Sequence, residues 1–336
     1  NSKACYETIA LLSKSARIKQ PWLVWLSPLA SMNEARSASV LSTAQKFAIY
    51  SALALGILII GFSPVLLRWA GAPGLVSSFY RMAIAALIVV YPFSSRVRSG
   101  KSRLTKSGIG YALLGGFFFA MDLSLWSTGV MLSGATIPTL MSNAAPIFVG
   151  IGAWLFFRER QSRQFWIGIA IALVGSVLIL REDLGLSPDI GMGTILGLLS
   201  AFFYGSYYLA TQGGRAILDT VSYFWITVAS ATIVLLIANL LFRQPLIGYS
   251  WEVYLSFFVM GLIVQIAGWL VINFAQGYLP ASIVAPTLLL QPVVTALFAS
   301  PLLGEKLTSW HLLGGGAVLA GIFLVHLSRL KRSQDA

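Results

Sequence analysis

Ten stretches of about twenty residues, in which a charge is almost never met, constrain this chain more than any other feature. A helix rises 1.5 Å per residue, so about 20 apolar residues match the hydrocarbon core of a bilayer. The runs fall at 47–68, 74–93, 108–131, 135–157, 164–181, 191–212, 221–242, 252–277, 281–303 and 309–328. Hydrocarbon supplies no hydrogen bonds, so each run must satisfy its own backbone as a helix. Hydrophobic residues fill 57% of the 336 positions and charged residues 10%, too little charge to cover a soluble domain of this size. The expectation is an all-α integral membrane protein. Short connections around Ser133-Gly134 and Leu279-Pro280 force neighbouring runs into antiparallel hairpins.

Ten spans place both chain ends on one side. With that side inside, eighteen of the 23 Lys and Arg lie in inner segments, whereas Arg68, Arg181, Arg243 and Lys306 lie outside and Arg81 sits within the second span. This bias predicts cytoplasmic termini. The net charge of +12 therefore orients the chain; no basic surface interleaved with aromatics points to nucleic acid. Residues 1–31 do not share the pattern. Met32 opens a plausible start, "MNEARSAS", and the segment before it reads as an upstream extension, with an interfacial helix as the alternative. "PWLVWLSPLA" resembles a signal-peptide core, but it holds two prolines and no A-x-A site follows.

The residue inventory removes several chemistries. A single cysteine, Cys5, excludes an internal disulfide framework, and His311 and His326 have no ligand-like spacing, so no metal is expected. No GxxxxGK[ST] segment is present, and Gly314-Gly315-Gly316 lacks the lysine of a phosphate loop. No nucleophile–base pair stands out either. The reading is a non-enzyme with no catalytic residues and no cofactor.

A shift of 146 residues lays the sequence on itself without a gap. Pro146 falls on Pro292, Glu159 on Glu305, Arg160 on Lys306, Gly168 on Gly314 and Gly175 on Gly321. Each half then holds five spans. Five is odd, so the second half enters the membrane from the opposite side, the inverted repeat of many secondary transporters. Proline lacks an N–H and frees the carbonyl four residues back, here Ser142 and Leu288. Such a carbonyl is tolerated only against protein or a wet cavity, so Pro146 and Pro292 are expected to act as kinks or hinges.

Two tandem units ending "P…E(R/K)…G…G", with "SSFYRMAIAAL" in the second span, resemble the drug/metabolite transporter superfamily, EamA type. The likeness covers about residues 44–330 and its details are closest to the YddG-type exporters of aromatic amino acids. It implies ten transmembrane helices in two inverted five-helix EamA repeats and efflux of small metabolites across a bacterial inner membrane. The parts would be a tail at 1–43, poorly structured or interfacial, repeats at 44–183 and 190–330, and a basic cytoplasmic tail at 331–336. The second half departs from symmetry: Trp225 and Thr227 occupy the region that answers to Arg81.

Polar side chains are shared unevenly among the spans. The fifth has only Ser176 between 165 and 180 and the tenth none between 312 and 325, which suits lipid contact, scaffold packing or homo-oligomer formation. Other spans carry stripes at helical spacing: Gln265, Trp269, Asn273 and Gln276; Thr287, Gln291 and Thr295; Thr136, Thr139 and Asn143; Ser200, Tyr204, Tyr207 or Tyr208, and Thr211; Asp122 and Trp126. Each could be interhelical bonding worth about 0.6 kcal/mol on average, but five stripes together suggest one wet cavity.

Amides, hydroxyls and aromatics with almost no charge fit a solute with a polar head and an apolar body. The expected substrates are neutral amino acids with aromatic or large apolar side chains. Substrate contacts are expected at Trp126, Asn143, Tyr207, Trp269 and Gln291, then Tyr204, Asn273 and Thr287. Arg81 and Asp122 each sit roughly 12 Å deep at 1.5 Å per residue, where they could pair. The alternative is a broad drug, cation or small-metabolite exporter leaning on Asp122 as a membrane-embedded acid.

Overall fold

The apolar runs close their backbones as helices, and among the described residues there is no strand. The computed structural model describes residues 42–63, 66, 71–133, 136–184, 190–303 and 308–334. The expectations for residues 1–31, Arg68, Glu305 and Lys306 lie outside them. The helices are α1 Thr43–Gly61, α2 Gly74–Arg98, α3 Lys106–Ser133, α4 Thr136–Ser142, α5 Ala145–Phe157, α6 Arg163–Leu184 and α7 Ile190–Arg215. There follow α8 Thr220–Leu241, α9 Trp251–Val259, α10 Trp269–Gln276, α11 Ala281–Thr287, α12 Gln291–Leu303 and α13 Ser309–Gln334. Nine described stretches are long and apolar enough to cross a membrane, and the helix Arg163–Ile179 is a shorter apolar one.

Local chemistry sets the ends. Ser42 and Gln45 cap α1 reciprocally, each side chain accepting from the other's backbone N–H. Asp219 caps α8 by accepting from Val221 and Ser222 N–H. Arg158, in the left-handed region at φ 55°, stops α5.

Three expected continuous spans are interrupted. The fourth divides at Asn143-Ala144, with Pro146 in the first turn of α5, where its missing N–H has no helical partner to lose. The ninth passes through a 3₁₀ turn at Leu288–Leu290, and Pro292 is the second residue of α12. The eighth contains a π-helical stretch, Met260–Gly268, between α9 and α10. π-Helix is rare and frequently accompanies functional sites.

Leu87, Leu155, Ile167, Leu240, Leu241, Leu319 and Phe323 are each more than half exposed, an apolar exterior suited to acyl chains. α6 and α13 run antiparallel and press their glycine faces together. A Cβ added at Gly168 would lie 2.6 Å from the Gly321 carbonyl oxygen, and one at Gly175 would lie 2.6 Å from that of Gly314. Of the roles open to the fifth and tenth spans, these glycines serve scaffold packing within the chain.

Two outcomes follow from this packing. Gly321→Ala should cost about 1–3 kcal/mol of stability through overpacking, whereas Gly316→Ala, whose Cβ meets nothing within 4 Å, should not. Thermal melts in detergent compare them; equal melting would contradict the contact. Asp219 gives the second. Burial pushes its carboxyl up, but hydrogen bonds from Ser222 and Ser102 and the charge of Arg96, 3.7 Å away, outweigh that and hold it below the ordinary value. Its contribution is therefore present above about pH 4 and fades as pH falls through the folded value. Asp219→Asn should lower stability at pH 7 by less than about 1 kcal/mol, with the difference vanishing in acid melts.

Candidate functional site

The interrupted helices bring polar groups to the middle of the bundle, and α3 and α7 bring aromatic ones. Tyr204, Tyr207, Tyr208 and Thr211 share one face of α7 by their spacing. Phe119 of α3 stacks on Tyr207 with centroids 4.5 Å apart. Trp269, the first residue of α10, meets Phe119 edge-on at 4.7 Å and Tyr207 at 5.5 Å. Tyr204 lies 4.7 Å from Tyr208 and 6.2 Å from Trp269. These separations are those at which aromatic pairs attract. Phe119, Tyr207, Tyr208 and Trp269 are all buried, so this is an interior box of rings.

Polar groups border the box. Asn273 Nδ2 donates to the Tyr207 hydroxyl at 3.1 Å and to the Trp269 carbonyl at 2.9 Å. The Tyr204 hydroxyl neighbours Tyr208 and Gln291. Among the described residues, Asn143 Nδ2, Asn273 Oδ1 and both amide atoms of Gln265 are buried and find no hydrogen-bond partner. Each such atom costs about 1–3 kcal/mol. Asn273 Oδ1, on an amide that already touches Tyr207, is an acceptor at the box where a polar solute would be stabilised.

The two intramembrane charges do not meet. Asp122 Oδ1 accepts from Ser200 Oγ at 2.5 Å, and that hydroxyl lies 3.1 Å from Ser142 Oγ at the break in the fourth span. Arg81 makes no ion pair with it among the described residues, although the two charges lie within electrostatic reach, as does Tyr204. The direct pair expected from their matching depth is replaced by the Asp122–Ser200 bond.

Of the expected contact residues, Tyr204, Tyr207, Trp269, Asn273 and Gln291 are brought together. Asn143 is half-buried at the helix break. Trp126 instead donates to Thr139 Oγ1 at 3.0 Å, bracing α3 to α4. Thr287 donates to the Ile283 carbonyl at 2.6 Å and lies 3.0 Å from His326 Nε2, which assigns that histidine to packing. Thr295 donates to the Gly61 carbonyl at 2.8 Å, tying α12 to α1. Phe119 lies in no polar stripe, and its position one turn before Asp122 is the signal the sequence carries for it.

A polar junction ties helix ends together at one end of the bundle. Glu159 accepts from Gln212 Nε2 and from Ser282 Oγ, both at 3.1 Å, and Gln212 Oε1 accepts from Ala281 N–H at 2.6 Å. Beside it, Arg215 donates to the Asn273 carbonyl at 2.9 Å, to the Leu218 carbonyl and to Thr220 Oγ1 at 2.7 Å. The segment after α5 is thereby joined to the ends of α7, α10 and α11 (charge-assisted bonds of this kind are the stronger ones).

Known proteins resemble the chain in the same terms. The profile of the EamA-like transporter family matches twice, at residues 47–181 and 191–327. A probable amino-acid metabolite efflux pump of Salmonella typhimurium is 28% identical over 200 residues, 56% of this chain and 67% of that protein. A riboflavin transporter of Vibrio cholerae is 26% identical over 145 residues, 42% of this chain and 46% of that protein. A solved crystal structure shares the fold with a TM-score of 0.68 at 15% identity, over 83% of this chain and 98% of its own.

Proposed function

The chain belongs to the EamA-like transporter family, a multi-pass membrane protein that moves a small molecule, and from that premise we propose that it exports neutral amino acids with aromatic or large apolar side chains, as the YddG-type exporters do. The observation that carries this reading is the box of Phe119, Tyr207 and Trp269, with Tyr204 beside it, next to the amides of Asn273 and Gln291. Rings would take the side chain while amides and hydroxyls take the polar end. Substrate contacts are assigned to Tyr204, Tyr207, Trp269, Asn273, Gln291 and Asn143. Trp126 and Thr287 act as braces. The name of the Salmonella relative agrees with an amino-acid substrate, whereas that of the Vibrio relative names a larger aromatic one.

The mechanism proposed is alternating access by ten spans in two inverted repeats, 44–183 and 190–330. Its support is the pairing of contacts between α6 and α13. Gly168 faces Gly321 and Gly175 faces Gly314; a Cβ at Gly168 would reach Val325 N and one at Gly314 would reach Ile179 N, both at 3.0 Å. The 146-residue shift exchanges the members of each set. A two-fold axis crossing two antiparallel helices produces such a pattern, and in a membrane that axis lies in its plane. By the basic-residue bias both termini face the cytoplasm of a bacterial inner membrane, which puts the Glu159 junction at the cytoplasmic end. Pro146 and Pro292 mark where the fourth and ninth spans flex.

Counterflow into liposomes holding the purified protein tests the assignment. Labelled Phe, Trp, Leu or Met should exchange saturably without ATP, and Trp269→Ala should lower that exchange at least about tenfold, equivalent to about 1.4 kcal/mol. Trp154→Ala, on the exposed outer face, should not. Silence for all amino acids together with movement of lipophilic cations, lost in Asp122→Asn, would replace the reading with the drug-exporter alternative.

A further inference from the structure

Arg81, half-buried, and Asp122, buried, are opposite charges in one bundle left unjoined. Arg81 Nε is buried, and among the described residues it finds no hydrogen-bond partner and its guanidinium forms no ion pair. Asp122 is 5% exposed and is held by a neutral hydroxyl, Ser200 Oγ, at 2.5 Å. Removing such charges from water costs several kcal/mol each unless a partner is supplied. Direct contact would be the simplest remedy, yet Asp122 bonds Ser200 and forms no ion pair with Arg81 among the described residues. A mobile monovalent ion could answer only one of the two groups. A molecule that carries both charges answers both.

The aromatic box adjoins these charges. Phe119 lies one turn before Asp122 on α3, and Tyr204 lies one turn after Ser200 on α7. Tyr204 stands in electrostatic reach of both Arg81 and Asp122 and 6.2 Å from Trp269. One molecule could therefore reach the charges with its head and the rings with its body.

Resting on the export function proposed above, we propose that Arg81 and Asp122 form a split clamp for an α-amino-acid zwitterion. The guanidinium fork takes the carboxylate by two parallel N–H bonds. The Asp122 carboxylate, oriented by Ser200, takes the ammonium. The side chain enters the box of Phe119, Tyr204 and Trp269. Specificity then comes from paired charges as much as from the ring, and an aromatic solute with one charge leaves the other group buried and unanswered.

The test is competition against labelled phenylalanine counterflow in liposomes. Unlabelled phenylalanine is compared with its methyl ester, which lacks the carboxylate, and with N-acetylphenylalanine, which lacks the ammonium. In the wild-type protein phenylalanine should compete at about tenfold lower concentration or better than either analogue. Arg81→Gln should abolish the preference over the ester and keep that over the N-acetyl compound; Asp122→Asn should do the reverse. Equal competition by all three compounds in the wild-type protein overturns the clamp without any variant being needed. So does an unchanged preference in both variants, or loss of both preferences in each. If the wild-type protein carries no amino acid but moves riboflavin or a lipophilic cation in the same liposomes, the export reading fails first. That outcome differs from transport without discrimination, which fails the clamp alone.

Discussion

Hydrocarbon cannot hydrogen-bond, and that constraint reaches every level of this protein. It makes each crossing a helix, because no other single segment satisfies its own N–H and C=O groups. It turns residues such as Leu155, Leu241 and Phe323 outward. Where the backbone departs from an ideal α-helix, at Asn143-Ala144, Leu288–Leu290 and the π stretch Met260–Gly268, one face of the segment packs against neighbouring helices. The polar side chains near those breaks, among them Ser142, Asn273 and Thr287, bond to neighbouring helices rather than to lipid. A binding site in such a bundle is where the helices stop being ideal.

The same constraint separates the parts that hold from those that can rearrange. Association of helices in lipid rests on close packing, since burying apolar surface gains little there. α6 and α13 achieve it at Gly168, Gly175, Gly314 and Gly321, where backbone meets backbone. The Glu159 junction is of another kind: its carboxylate is joined to the side chains of Gln212 and Ser282, and Gln212 in turn accepts from the Ala281 N–H. Bonds of that sort can be exchanged for water without repacking a core. In the proposed cycle the glycine pair is the fixed seam and the polar junction is the part that opens.

Much of the architecture was legible in the sequence because lipid imposes a strong period and length on each span. The runs, the tandem halves and the stripe on α7 all follow from spacing alone. What escaped were features set by contacts between distant spans. The sequence put Arg81 and Asp122 at one depth, but only the fold puts Ser200 beside Asp122 and removes the direct pair. Trp126 had the right type and spacing for a substrate contact, yet Thr139 one span later takes its N–H. Phe119 carried no polar signal and joined the site through Tyr207. Pro146 and Pro292 announced irregularity without saying that the helices would be divided there. The π stretch has no proline to announce it at all.

The central claim is that a site in the middle of the bundle is reached from one side at a time. Spin labels report it most directly: one pair at Arg158 and Tyr278, flanking the Glu159 junction, and one at Leu132 and Trp251, at the other end by the order of the spans. Distances are measured in nanodiscs with and without saturating phenylalanine. The account predicts two populations in which the first distance lengthens as the second shortens, with substrate shifting their ratio. Both distances lengthening together, or neither changing with a transported substrate, would contradict it.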